Sequence, residues 1–67
     1  MLNDSQIYLY KSLKKYHEEN GYSPTIRELQ EMCEYKSTST VYEHLKILER
    51  AEYIAMGERK SRSIKIL

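Results

Sequence analysis

Four side-chain hydroxyls stand in a row at Ser37, Thr38, Ser39 and Thr40, directly ahead of the segment V-Y-E-H-L-K-I-L. Each can donate and accept a hydrogen bond at short reach. Val41, His44, Leu45 and Leu48 fall at i, i+3, i+4 and i+7, the spacing of one helix face, so the hydroxyls occupy that helix's first turn. A single Ser or Thr suffices to cap a helix. Two caps are open: Ser37, or Thr40, which heads a capping box of its own with Glu43. The surplus hydroxyls have two readings. They fill an exposed turn where such residues are merely tolerated, or they act as short, unobstructed hydrogen-bonding groups. At a helix N-terminus entering the DNA major groove, such groups reach base edges and phosphates, and the free amides favour anions. Tyr42 points off the apolar face beside the run and is a candidate for the same contact.

A second group is cationic. Within residues 57–67, Arg59, Lys60, Arg62 and Lys65 face only Glu58. Alone, such a cluster is a solvated turn; after a helix-turn-helix, Arg59, Lys60 and Arg62 become candidates for phosphate or minor-groove contact. Cys33 and His44 are residue types that can make a nucleophile and its base, but each lies on an apolar stripe and no third group orients them. A packed thiol and a half-buried imidazole are expected instead. The single cysteine cannot form an internal disulfide, and no CxxC or HxxxH pattern suggests zinc. No glycine-rich phosphate loop or pair of catalytic carboxylates is present, so no enzyme activity, metal or cofactor is expected. Of the seven tyrosines, Tyr10, Tyr35 and Tyr53 are expected in the core with their hydroxyls reaching solvent.

The elements that position these groups can be read from periodicity. A first helix is expected over about 4–20, capped by Asn3 or Asp4, with Gln6, Leu9, Tyr10, Leu13 and His17 on one stripe and Gly21 as its left-handed stop. Ser23-Pro24 holds the chain extended. Thr25-Ile26-Arg27-Glu28 is a capping box that opens a short second helix, about 26–33, with Ile26, Leu29, Met32 and Cys33 as its apolar stripe. The third helix spans about 38–51. The period then changes to that of strands, and a hairpin over about 53–67 has Ile64 and Ile66 on one side and Ser63 and Lys65 on the other. A lone hairpin is marginal in water, so this one must pack on the helices. The order is helix, helix, helix, hairpin, and a short link joins the second and third helices. The expected fold is mainly α, a three-helix winged helix-turn-helix in one domain, 1–67.

At 67 residues the chain holds one thin core. It has no apolar run long enough to span a membrane and no secretory signal pattern, so a cytoplasmic protein with a reduced thiol is expected. Net charge is only +1, but it is polarised. Lys11, Lys14 and Lys15 face Asp4 in residues 1–15, whereas Arg27 faces Glu18, Glu19, Glu28, Glu31 and Glu34 in residues 16–35. Residues 36–67 are basic again. Polarised charge can orient a protein on a phosphate backbone, and it is also common on ordinary surfaces.

Three segments carry a resemblance to a known family. LNDSQIYLYKSL (2–13) is similar to an opening L-T-x-x-Q helix. GYSPTIREL (21–29) matches G-Y-x-P-[ST]-[VI]-R-E-[IL], and STSTVYEHLKILE (37–49) matches S-x-S-T-V-x-x-H-L-x-x-L-E. YIAMGERKSRSIKIL (53–67) stands where that family has its wing and a closing I-x-[IL]-L strand. Together these resemble the N-terminal DNA-binding domain of LexA repressors over nearly the whole chain.

The resemblance implies a transcriptional repressor domain whose third helix docks in the major groove of an operator half-site. It implies that Ser37, Thr38, Ser39, Thr40, Tyr42 and Glu43 face bases and adjacent phosphates, with Lys46 further along the same helix. Arg59, Lys60 and Arg62 would contact backbone from the wing, and Thr25 and Arg27 from the second helix. The partner is then double-stranded DNA with a palindromic operator, met by a monomer that pairs, if at all, on DNA. No membrane partner is expected. The alternative is a protein-interaction module on the same fold, docking through the acidic surface of residues 18–34.

Two departures from the family stand out. Full-length members carry a C-terminal Ser-Lys self-cleaving protease domain that also dimerises, and these residues include none, so damage-triggered cleavage is not carried over. The family also usually has glycine after the second helix and after the third, where this chain has Glu34 and Glu52. Positive φ at either would cost of order 1 kcal/mol.

Overall fold

The computed structural model describes residues 2–57 and 63–67. Its elements run α1 (Asp4–Asn20), α2 (Ile26–Met32), α3 (Thr38–Arg50), β1 (Ile54–Met56) and β2 (Ile64–Ile66), the mainly helical winged helix-turn-helix order read from the sequence. α1 begins at Asn3, whose side chain accepts from the Gln6 amide at 2.9 Å while the Gln6 carboxamide accepts from the Asn3 amide at 3.0 Å. It ends at Gly21, whose φ of 78° lets its N–H reach the His17 carbonyl at 2.8 Å. α2 opens on the reciprocal box of Thr25 and Glu28, with bonds of 2.8 and 3.0 Å.

α2 and α3 both end in a Schellman arrangement. At the first, Tyr35 N–H donates to the Gln30 carbonyl and Glu34 N–H to that of Glu31; at the second, Tyr53 N–H donates to Leu48 and Glu52 N–H to Glu49. The geometry demands a left-handed residue, and Glu34 (φ 57°) and Glu52 (φ 66°) supply it. Glutamate thus occupies the two positions where its Cβ is disfavoured and glycine is usual. The tyrosine after each glutamate reaches back to α1. Tyr35 donates its hydroxyl to the Ser5 carbonyl at 3.1 Å, and the Tyr53 ring meets Tyr10 edge-on at 5.3 Å.

The core comprises Leu9 and Leu13 of α1, Leu29 of α2, Val41, Leu45 and Leu48 of α3, and Ile54 and Ile64 of the strands. Leu2, Tyr10, Ile26, Cys33, Tyr35, Met56 and Ile66 pack around it. Two expected core residues sit further out. Met32 is 38% exposed, because α2 ends there and Ile26, Leu29 and Cys33 already cover the face toward α1 and α3. Tyr53 is 42% exposed, lying across the Tyr10 ring at the rim.

The strands pair antiparallel, with Ile54 opposite Ile66, Ala55 opposite Lys65 and Met56 opposite Ile64. Two side chains reach the pair from outside: the Glu49 carboxylate accepts from the Met56 amide at 3.0 Å, and the buried Ser23 hydroxyl accepts from the Ile64 amide at 3.3 Å. Among the described residues no helix is long and apolar enough to cross a membrane.

Candidate nucleic-acid interface

α3 is held rigidly from one side. Val41, Leu45 and Leu48 have no exposed surface, so rotation of the helix about its axis would pull three side chains out of the core. The opposite face carries Ser39, Glu43 and Lys46 outward, with Thr38 and Tyr42 beside them, all exposed.

The hydroxyl run divides by task. Ser37 is the cap: its backbone is extended (φ −153°) and its oxygen accepts from the Thr40 amide at 3.3 Å. The Thr40 hydroxyl lies 3.2 Å from that of Ser37 and is half-buried. Thr40 therefore belongs to the cap that Ser37 heads, which settles the two open caps in favour of Ser37. Thr38 and Ser39 remain, and among the described residues neither hydroxyl makes a hydrogen bond within the protein. Apart from Thr40's, the first-turn amides have no partner inside the helix by construction. The end of α3 therefore offers two free hydroxyls and open N–H groups on a fixed support.

Thr25 commits its hydroxyl oxygen to the cap of α2 and is half-buried, whereas Arg27, in the first turn of that helix and within the acidic stretch of residues 16–35, is exposed. Arg59, Lys60 and Arg62 lie outside the described residues. The strands beside them are described, and Lys65 is exposed on β2.

Among the described residues, no hydrogen bond joins Cys33 to His44. Burial pushes the Cys33 thiol up, partly opposed by a hydrogen bond with the Ser12 side chain. It stays protonated at neutral pH, the state of an inert packed thiol. Burial and the nearby Cys33 also push the Tyr35 hydroxyl up. The His44 ring lies against Tyr35 at 5.3 Å, and its Nδ1 is buried with no hydrogen-bond partner among the described residues.

Comparison with known proteins bears on this surface. The family model described as the LexA DNA binding domain matches residues 1–63. The LexA repressor of Anaeromyxobacter sp. (strain Fw109-5) is 40% identical over 63 residues, 94% of this chain and 27% of that protein. The LexA repressor of Myxococcus xanthus is 41% identical over 63 residues, covering 94% of this chain and 28% of the relative. That of Clostridium kluyveri is 37% identical over 65 residues, covering 97% and 32%. The chain thus spans between 27% and 32% of the length of these curated relatives. With the family model matching residues 1–63, the chain belongs to the LexA DNA-binding domain family.

Proposed function

We propose that the chain binds double-stranded DNA sequence-specifically and represses transcription, with α3 in the major groove of an operator half-site. The observation that carries this reading is the division of the hydroxyl run: Ser37 and Thr40 are used in capping, while Thr38 and Ser39 are exposed on a helix that the core holds in place. Thr38 and Ser39 meet base edges. Ser37 and Thr40 lie at the adjacent phosphates, and Tyr42 flanks them. Glu43 is an acceptor suited to a cytosine amino group, and Lys46 reaches a phosphate further along. Thr25 and Arg27 contact the backbone from α2, and Arg59, Lys60 and Arg62 do so from the hairpin turn.

One module buries limited surface, so the isolated chain binds weakly as a monomer and pairs on a palindrome, where two copies double the contacts. The setting is the cytoplasm. Titrating palindromic and half-site duplexes at several salt concentrations tests the reading. Affinity should fall steeply with salt and be higher for the palindrome. A flat salt response, or amide shifts confined to residues 18–34 when DNA is added, would sink it in favour of a protein-docking role.

A further inference from the structure

We propose that Glu49 and Ser23 are positioning residues that clamp the β1–β2 ribbon at a fixed inclination to α3 and thereby set how the hairpin approaches the DNA backbone. The docking half of this proposal rests on the DNA-binding reading above.

Met56 and Ile64 face each other across the ribbon. The flanking bonds, Gly57 N–H to the Ser63 carbonyl at 3.0 Å and Leu67 N–H to the Tyr53 carbonyl at 3.1 Å, set the antiparallel alternation. Met56 and Ile64 are therefore a pair whose N–H groups point away from each other, one off each edge. On a two-stranded ribbon both edges are open, and such amides ordinarily go to water. Here each takes a side-chain acceptor from a different part of the helical body. Met56 donates to the Glu49 carboxylate in the last turn of α3, and Ile64 donates to the Ser23 hydroxyl just ahead of Pro24 and α2.

The ribbon also packs by Ile54, Met56, Ile64 and Ile66, with Ile54 and Ile64 buried, but apolar contact has no direction and leaves the ribbon some residual roll about its long axis. Two hydrogen bonds on opposite edges of one residue pair remove that freedom. One anchor sits on the helix that presents Thr38 and Ser39, so the clamp ties the inclination of the hairpin to that of the reading helix.

Charge and geometry predict opposite signs, which makes the idea testable. Glu49 is exposed and carries a negative charge on the helix that meets phosphates. If charge were its only effect, Glu49→Ala would tighten DNA binding. As a clamp, the same change should weaken it, by about three- to ten-fold for the loss of one such bond. Glu49→Gln keeps an acceptor oxygen without the charge and should restore both geometry and affinity.

The measurement is amide residual dipolar couplings of Ala55, Met56, Ile64 and Lys65 relative to those of α3, on the free protein, alongside duplex titration. Glu49→Ala should shift the ribbon couplings together and leave those of α1 unchanged, with recovery in Glu49→Gln. Ser23→Ala should shift them too; because Ser23 is buried and its loss can disturb folding, the exposed Glu49 decides the matter. Unchanged ribbon couplings in Glu49→Ala would overturn the clamp. Altered couplings with equal or tighter binding would overturn its part in docking. If the parent chain shows no salt-dependent binding at all, the DNA reading fails and takes the docking half with it, while the couplings still decide whether Glu49 and Ser23 hold the ribbon.

Discussion

Ser37 and Ser39 stand two positions apart, and the structure gives them different tasks. Ser37 accepts the Thr40 amide, so Ser37→Ala removes a cap and should cost about 0.5–2 kcal/mol of stability. Ser39 makes no hydrogen bond within the described protein, so Ser39→Ala should leave the melting temperature unchanged. Its effect should appear instead in the duplexes recovered from a random pool, as a relaxed preference at one base pair. A melt in which both variants fall equally would contradict this division. The sequence made the hydroxyls conspicuous but left the cap open, because Thr40 and Glu43 form the better capping box by pattern. Packing decides otherwise. Beginning the helix at Thr38 puts Val41 in its first full turn and seats it in the core.

Among the elements, the first two helix starts and the stop at Gly21 were legible, since Asn3, Thr25 and Gly21 are the residue types those positions favour. The ends of α2 and α3 fall within one residue of where periodicity put them, but the left-handed turns that close them were not legible from propensity. Glutamate carries no signal for a left-handed turn, and only the family resemblance pointed to Glu34 and Glu52. Nor did anything in the period-two pattern of the strands announce that Glu49 and Ser23 would bond their outer edges. The strained glutamates lead to a stability prediction. Glu34→Gly and Glu52→Gly should each raise stability by up to about 1 kcal/mol, because glycine adopts positive φ without the Cβ penalty. In a domain this small, that corresponds to a rise of roughly 4–8 °C in melting temperature. A fall in either variant would show that the carboxylate makes a compensating interaction.

At the scale of the molecule, the core among the described residues is a cluster of eight buried apolar side chains, and three of them belong to α3. α3 is therefore the chief structural helix, and under the proposed function stability and DNA contact are separated by which face a residue occupies. Leu45→Ala should cost about 2–5 kcal/mol and abolish cooperative melting near room temperature, whereas exposed changes on the same helix should not. Far-UV circular dichroism against temperature distinguishes the two. The Glu-Tyr pairs that follow α2 and α3 have a wider consequence. Each tyrosine closes a helix end through its amide and grips α1 through its ring or hydroxyl, so neither end can fray without loosening α1 as well. In amide hydrogen exchange the two turns should not open as local events. They should exchange together with α1, making the three helices one cooperative unit.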